Sequence, residues 1–407
     1  MSPDNTPSNS NDLARFYGDY PYPAPETDLD NFQKGHATLD GAPSHFLPLY
    51  WPDRNNDSGL EILVAGCGTS QAAKFALLST DAHVLGTDIT QASLDHARKL
   101  KDKYELDNLE LLQLPIEDID RLDRQFDLIV CTGVLHHLAH PEVGLSSLKN
   151  ALKPDGRMYL MIYGTYGRSG VYMLQEFCRL LGVQANDLQL DALGKLIDSM
   201  PANHPIQMFR STTDDLKSRN GTVDALLHPS DRSYSVPQLY EWLANCGIRL
   251  ERWLHQAPYL PQFSAVGQTN AYGALDKMSD AEAYSVMELF RGTMITHRFV
   301  AAHAGQHGPR KGSIDDENWR TLKPVLFPGA RINTLALPKG YAAQLWNPTH
   351  GYPDLLLDIS SIELQIYEAM NGDISLADIA QKVKVDEGQV KSLYKKLWDF
   401  DQVMFRT

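Results

Sequence analysis

The sequence predicts an α/β protein built on a doubly wound, largely parallel sheet, followed by a smaller α+β domain. Short apolar runs that are typical of buried strands, such as residues 62–65, alternate with stretches of helical periodicity. This alternation continues to residue 163 and implies parallel strands with helices on both faces of the sheet. The chain has 407 residues, of which 43% are hydrophobic, and this is enough for two domains with cores of their own.

A glycine turn after the first predicted strand indicates a ligand site. Residues 66–70 read GCGTS, and glycine at Gly66 and Gly68 allows a positive φ and a close approach of the backbone to a ligand. The predicted helix 71–78 directs its first N–H groups toward this turn. Asp88 ends the next predicted strand, roughly 20 residues on, where an acid accepts hydrogen bonds from a ribose in doubly wound folds. These features together predict a site for a nucleoside cofactor.

The next elements indicate which cofactor this is. Residues 126–130 read FDLIV and residues 134–138 read VLHHL, followed by a predicted helix at 142–153 and a predicted strand at 157–163. In order and spacing, these elements resemble the class I S-adenosylmethionine-dependent methyltransferases. The resemblance implies a Rossmann-like sheet of seven strands, with the last strand antiparallel beside the fifth. It also implies S-adenosylmethionine as cofactor and methyl transfer as the reaction. A dinucleotide site fits less well, because the turn is not GxGxxG.

The resemblance also implies individual roles for residues around the cofactor. The positions that match the family's cofactor contacts are Gly66, Gly68, Asp88, Ile89, Ile116, Glu117, Cys131, Thr132 and Gly133. The glycines match the turn under the methionine part, Asp88 the ribose acid, and Ile116 and Glu117 the flanks of the adenine. Three positions depart from the pattern: Val64 and Pro115 replace acids common in the family, and Ser70 replaces its third glycine.

Two adjacent histidines are the candidate catalytic groups. His136 and His137 follow the fourth strand, close to where the methyl group would be transferred. An alcohol, phenol or ammonium acceptor must give up a proton, and a histidine there would accept it. The alternative is a structural role, in which the imidazole packs and hydrogen-bonds at a strand-to-helix turn.

Residues 164–234 form a long insert between the fifth strand and the point where the alternation of strands and helices resumes. We expect this insert to form the acceptor pocket, because ligands of such sheets bind beyond the carboxyl ends of the strands. Its candidate substrate-binding residues are Tyr166, Arg168, His228 and Arg232. An arginine would hold a carboxylate of the acceptor with two parallel hydrogen bonds. In the alternative interpretation, Asp231 and Arg232 form a turn and pair on the surface, where such pairs contribute little stability.

The predicted domain bounds follow from composition and pattern. Residues 1–12 form a polar tail, 13–50 an N-terminal arm or lid, 51–303 the methyltransferase domain, 304–318 a linker and 319–407 a C-terminal domain. The aromatic-rich arm either closes over the cofactor or packs outside the core. Three amphipathic helices and short strands make the C-terminal domain resemble a winged helix. We expect it to dock a protein or to mediate dimerisation, with its lysines forming a solvated face.

Composition excludes several classes of function. The formal net charge of −14 argues against a nucleic-acid partner, which needs a basic face. Residues 1–12 lack the features of a signal peptide, and no apolar run approaches the ~20 residues of a membrane span, so we expect a cytoplasmic protein. The four cysteines have neither a disulfide nor a zinc spacing, and no metal site is predicted.

Three functions remain in competition. The first is a methyltransferase with a small-molecule acceptor, and the second is a protein methyltransferase whose C-terminal domain docks the target. The third is a regulator that binds S-adenosylmethionine without catalysis. The sequence does not specify the accepting atom or the oligomeric state.

Overall fold

The computed structural model describes residues 10–269, 273–305, 314 and 317–407. Much of the predicted linker and most of the polar tail lie outside the described residues. Helices in the described part of the chain are α1 (Ser10–Asp19), α2 (Asp30–Gln33), α3 (Pro43–Tyr50), α4 (Gln71–Leu78), α5 (Gln91–Lys103), α6 (Pro141–Asn150), α7 (Ser169–Leu181), α8 (Asp187–Ser199), α9 (Pro205–Thr212), α10 (Arg219–Leu227), α11 (Val236–Asn245), α12 (Ala265–Thr269), α13 (Asp280–Arg291), α14 (Ser361–Glu368), α15 (Leu376–Val383) and α16 (Glu387–Asp399). The strands there are β1 (Glu61–Ala65), β2 (His83–Asp88), β3 (Leu109–Gln113), β4 (Phe126–Thr132), β5 (Leu152–Tyr163), β6 (Ile248–Trp253), β7 (Thr296–His303), β8 (Lys323–Leu326), β9 (Arg331–Asn333), β10 (Ala343–Trp346), β11 (Leu357–Ile359) and β12 (Val403–Arg406).

The chain divides into two units that are discontinuous in sequence. The first contains the described residues up to Ala37, together with Ser58–Leu250 and Arg291–His303. The second contains Thr38–Asp57, Glu251–Phe290 and Ala304–Thr407. The predicted domain bounds differ from this division and stay a prediction. No helix in the described ranges is both long and apolar enough to span a membrane.

A seven-stranded sheet forms the core of the first unit, in the order β3-β2-β1-β4-β5-β7-β6. Strands β1 to β5 pair in parallel, and β7 runs antiparallel beside β5. In β4 every residue but the last is buried, as expected for a parallel strand covered by helices on both faces. The predicted doubly wound, Rossmann-like sheet is confirmed, and so is the antiparallel seventh strand.

Four helices, α7 to α10, make up most of the insert between β5 and β6. They share a small apolar core of their own, in which Val171 and Leu174 of α7 pack with Leu193 of α8 and Phe209 of α9. Gly182 ends α7 in the left-handed conformation, with φ +64°, which glycine adopts without strain. Of these four helices the sequence predicts α7, because Val171, Leu174, Phe177 and Leu181 fall on one face at helical spacing.

The second unit holds two small antiparallel sheets and the C-terminal helices. Strands β9, β10 and β11 form one sheet, and β8 pairs with β12 in the other. The sequence of residues 331–346 predicts two strands about the Pro338-Lys339-Gly340 turn, and the pairing of β9 with β10 confirms them. Capping boxes begin α14, α15 and α16, each with its N-cap side chain bonded to the third backbone N–H of the helix. The winged-helix assignment stays a prediction.

Candidate active site

The glycine turn between β1 and α4 has the predicted backbone. Gly66 and Gly68 have φ of +65° and +55°. A Cβ on Gly66 would lie 2.6 Å from a methyl carbon of Val134, so a side chain there requires a shift of the neighbouring loop. At Gly68, Pro23 is the only described residue that comes within 4 Å of such an atom, at 3.9 Å. The turn therefore exposes backbone beyond the carboxyl end of β1, where a ligand approaches an open sheet.

Asp88 is positioned by this turn. Its Oδ2 accepts a hydrogen bond from the backbone N–H of Gly68 at 2.9 Å, and its Oδ1 accepts from the backbone N–H and the hydroxyl of Thr90. Burial raises the pKa of Asp88, and these hydrogen bonds oppose the rise. Oδ2 is used only once here, so it keeps an acceptor position for a hydroxyl group such as that of a ribose.

Other polar atoms around the turn also fit a nucleoside cofactor that carries an amino acid. The hydroxyl of Thr69 is buried and has no hydrogen-bond partner in the described structure. Oε2 of Glu117 is likewise buried without a partner there, at the start of the 3-10 helix Ile116–Leu122. Buried polar atoms of this kind are costly unless a ligand or water pairs with them. Gln71 donates to the hydroxyl of Thr132 at 2.8 Å and joins α4 to the end of β4.

The remaining predicted cofactor residues lie at the same edge of the sheet. Ile89 directly follows β2, Ile116 is buried beyond β3, and Cys131 is buried next to the end of β4. Gly133 follows β4 with φ +75°. The structure thus brings every predicted cofactor position to the carboxyl ends of β1 to β4, and their contacts with a cofactor stay a prediction.

The N-terminal arm contacts both the glycine turn and the insert. Glu26 forms an ion pair with Lys74 of α4 and accepts a hydrogen bond from Ser70 at 3.5 Å. On the insert side, Tyr22 donates to Asp215 at 2.7 Å and Asn220 donates to the backbone carbonyl of Pro21 at 2.9 Å. The arm therefore lies across the space between the two predicted binding regions.

A buried polar cluster lies where the insert meets the end of β4. We call it the insert cluster, and its members are Tyr17, His137, Arg168, Asp224, His228 and Asp231. Nδ1 of His137 lies 2.8 Å from the backbone carbonyl of Ser230 and 3.9 Å from Oδ1 of Asp231. A carbonyl oxygen only accepts, so Nδ1 carries a proton, and in the neutral ring the lone pair lies on Nε2. His137 is thus oriented as a proton acceptor.

Two insert residues hold Asp231 in place beneath His137. Oδ2 of Asp231 accepts a hydrogen bond from the side-chain amide of Gln175 at 2.8 Å and lies 3.5 Å from Arg168. The side chains of Arg168 and Asp231 are each only 2% exposed. The Arg168 guanidinium also lies 3.5 Å from the ring centre of Tyr163, in a cation–π contact. The buried contact between Arg168 and Asp231 therefore fixes the carboxylate of Asp231 near His137.

Asp224 is the other buried acid of the cluster. It is 4% exposed, and its Oδ1 accepts a hydrogen bond from the hydroxyl of Tyr17 at 3.2 Å. Burial raises the pKa of Asp224 to about 6, and the charge of Asp231 contributes to the rise. The carboxylate is therefore held in its charged form at neutral pH against a desolvation cost.

His137, Asp224 and His228 also require a test for metal binding. One possible ligand atom from each lies within 4.8 Å of the other two. However, Nδ1 of His228 accepts a hydrogen bond from the backbone N–H of Ser230 at 3.0 Å. Burial lowers the pKa of His228, so the ring is neutral and its single proton lies on Nε2. An N–H at that position does not ligate a metal, and this donor set therefore fits a metal poorly.

The structure separates the other predicted acceptor-site residues. His136 is fully buried and packs on Tyr163, with ring centres 3.8 Å apart and ring planes tilted by 34°. Neither of its nitrogens has a hydrogen-bond partner in the described structure. Burial lowers its pKa, so it stays neutral. Tyr166 is 39% exposed and Arg232 donates to the backbone carbonyl of Ala139, both outside the contacts that define the cluster. Arg168 and His228 belong to the insert cluster.

Sequence reasoning missed Asp224 and Tyr17. A signal for Asp224 was present: it is a single acid in the helical run Val223–Leu227, between residues that are otherwise apolar. A buried acid within an apolar helical face needs a partner, and that need points to a site. Tyr17 offered no such signal. It precedes Asp224 by 207 positions in the sequence, and the two side chains meet only in the folded chain.

Comparisons with known proteins agree with this geometry. A family model described as a methyltransferase domain matches residues 63–158. A ubiquinone biosynthesis O-methyltransferase of Actinobacillus pleuropneumoniae is 32% identical over 165 residues, which are 37% of this chain and 68% of that protein. An uncharacterized protein of Synechococcus sp. is 27% identical over 321 residues, covering 77% of this chain and 76% of the relative.

Solved structures show the same fold over a longer span. PKMT2 from Rickettsia typhi aligns with 94% of this chain and 78% of its own, with a TM-score of 0.65 and 15% sequence identity. A second structure of that protein, in complex with AdoHcy, aligns with 90% of this chain and has a TM-score of 0.63. With the sequence relatives and the matched domain, these findings show that the chain belongs to the S-adenosylmethionine-dependent methyltransferases.

Proposed function

We propose that this enzyme methylates a small molecule whose accepting atom must lose a proton, and that His137 removes that proton. The supporting observation is the orientation of His137. The bond from Nδ1 to the carbonyl of Ser230 fixes the tautomer and leaves Nε2 as an acceptor just beyond the end of β4. A base that is oriented by a second group and lies close to the transfer site matches the general arrangement of proton-accepting catalysts.

The roles of the surrounding residues follow from their contacts. S-adenosylmethionine supplies an activated methyl group when it is bound at the turn. Asp231, 3.9 Å from Nδ1, would stabilise the positive charge that His137 acquires with a proton. Arg168 and Gln175 would hold Asp231 in that position. The arm, through Tyr17 and Tyr22, would cover the site and exclude water.

A small acceptor is favoured over a protein because the site is enclosed. Tyr17 of the arm bonds to Asp224 of the insert, and Tyr22 bonds to Asp215, so the arm and insert meet above the cluster. A folded protein would have to separate these contacts to reach His137. The second candidate, a protein methyltransferase, requires an extended side chain that passes between the arm and the insert.

Labelled S-adenosylmethionine tests this proposal. The enzyme is incubated with the cell lysate from which its acceptor is sought, and methyl label is measured in precipitated protein and in the low-mass filtrate. We expect label in the filtrate and a loss of about a hundredfold or more for His137→Gln, because a positioned base contributes at least that factor. His140→Gln, which replaces an exposed histidine three residues on, is the matched control and keeps its rate.

Two outcomes would contradict the proposal. Label that enters protein but not the filtrate would favour the protein methyltransferase. An unchanged rate for His137→Gln would show that His137 is not the base.

A further inference from the structure

We infer that the acceptor is a protonated amine, and that Asp224 of the insert cluster binds its ammonium group. This inference rests on the proposed function, because it assigns a substrate class to the same site. It begins from the charges that the fold buries in the cluster. Asp224 and Asp231 are both buried carboxylates, whereas Arg168 is the buried cation that contacts one of them, at 3.5 Å from Asp231.

The Arg168–Asp231 pair leaves Asp224 with no cation in contact among the described residues of the cluster. It accepts a hydrogen bond from the neutral hydroxyl of Tyr17, and the neighbouring ring of His228 is neutral because burial lowers its pKa. A buried charge normally has a partner of opposite charge, because desolvation is otherwise too costly. A cationic ligand would supply that partner. Burial raises the pKa of Asp224, and a cationic ligand would offset this cost.

The neighbouring carboxylate supplies a second, independent observation. Oδ1 of Asp231 is buried and has no hydrogen-bond partner in the described structure, and it lies on the His137 side of the cluster. An unpaired buried acceptor calls for a donor. An ammonium group carries three N–H donors and no acceptor, so it suits a site with two buried carboxylates, one of which has an unpaired oxygen.

Aromatic rings around the cluster favour an organic cation over a metal ion. The rings of Phe16 and Tyr17 lie 4.8 and 5.6 Å from that of His228, and Tyr17 also contacts Asp224 through its hydroxyl. Ring faces attract ammonium groups, and that contact is strengthened when the site excludes water. A divalent metal would instead need lone pairs from both histidines, and His228 presents an N–H at Nε2.

The same geometry provides an acceptor for the proton of the amine. A protonated amine has no lone pair and cannot attack until one N–H bond breaks. That proton would pass to Nε2 of His137, and the bonding electron pair would stay on nitrogen as the attacking lone pair. The imidazolium would then be held by the carbonyl of Ser230 and by Asp231. Asp224 binds the cation and His137 takes its proton, so the two roles are separable.

Three probes with the same ring and different charge test the inference. Benzylamine is a cation at neutral pH, benzyl alcohol is neutral and benzoate is an anion. Their affinities for the full-length protein saturated with S-adenosylhomocysteine are measured by NMR titration. We expect benzylamine to bind at least about tenfold more tightly than benzyl alcohol, and benzoate to bind most weakly. Asp224→Asn removes the preference for the cation, whereas Asp198→Asn, an exposed acid of the same insert, retains it.

The wild-type comparison needs no variant, so misfolding of Asp224→Asn cannot obscure the result. Equal binding of benzylamine and benzyl alcohol by the wild-type protein, or no binding of benzylamine, would overturn the inference. So would stoichiometric binding of Zn²⁺ that depends on Asp224 and His228, because the missing cation would then be a metal. A failed transfer assay with an intact cation preference would overturn the proposed role of His137 and leave the amine site standing.

Discussion

At the scale of single residues, Asp224 links the site to stability. The native pKa of Asp224 is raised to about 6 from an ordinary value of 3.8. Between these two values the unfolded chain has released the proton while the native protein still holds it. Stability therefore falls as pH rises through this window, and the cost is complete above pH 6. The shift corresponds to roughly 3 kcal/mol as an upper bound.

Asp224→Asn should remove this cost. The substitution keeps an oxygen that accepts the bond from Tyr17 but carries no charge. We expect the variant to melt at a higher temperature than the wild-type protein at pH 7.5, and the difference to disappear near pH 4. Differential scanning calorimetry at the two pH values measures it. A variant that is less stable than wild type at pH 7.5 would show that the charge of Asp224 is already compensated in the free protein.

The individual residues of the site differ in how far the sequence predicts them. Gly66, Gly68 and Asp88 were predicted because they lie near each other along the chain, at the ends of two successive strands. Their spacing in the sequence is therefore enough to indicate a cofactor site. His137 and His136 were predicted as a pair, and only the fold separates them: one is bonded to Ser230, and the other packs on Tyr163. Adjacent residues on a turn point in different directions, which sequence does not report.

At the scale of elements, the turn from β1 to α4 constrains the sequence most tightly. Gly66 combines a positive φ with a neighbouring side chain 2.6 Å from where a Cβ would lie. Gly59 has nearly the same φ, +68°, but no atom of the described residues lies within 4 Å of its Cβ position. A comparison of Gly66 with Gly59 therefore separates the cost of the left-handed backbone from the cost of steric overlap.

Replacing each glycine by alanine measures the two effects. Both variants should lose about 1 kcal/mol or more from the left-handed backbone. Gly66→Ala should lose a further 1–3 kcal/mol because the Val134 loop must move. The loss of stability is measured as the fall in melting temperature of each variant relative to the wild-type protein. Comparison of Gly66→Ala with Gly59→Ala then gives the cost of the steric overlap alone. Equal losses would indicate that the Val134 loop yields freely, and that the turn is less rigid than its contacts imply.

The elements also show where sequence patterns stop being informative. Strands β1 and β4 were predicted because each contains a short apolar run, which a buried strand requires whatever its exact neighbours. Helices α8, α9 and α10 were not, because their apolar residues are arranged for packing on one another rather than on the sheet. The contact between Tyr17 and Asp224 joins segments far apart in sequence, and a single sequence holds no record of such pairs.

At the scale of the whole molecule, the fold is shared much more widely than the sequence. This chain aligns with PKMT2 of Rickettsia typhi over 94% of its length at 15% identity, so the comparison carries the fold alone. The ubiquinone biosynthesis O-methyltransferase that is 32% identical matches 37% of this chain. The acceptor site therefore has to be argued from the insert of this chain. The net charge of −14 is compatible with an amine substrate, which an acidic molecule attracts.

Calorimetric titration with S-adenosylhomocysteine tests the central claim most directly, namely that the turn and Asp88 hold an adenosyl cofactor. We expect the wild-type protein to bind one equivalent. Asp88→Asn should bind about ten- to a hundredfold more weakly, because it loses a charged acceptor of the ribose hydroxyls. Asp95→Asn, an exposed acid on α5, should bind like wild type. Wild-type protein that shows no binding, or an Asp88→Asn variant that binds as tightly as wild type, would contradict the account.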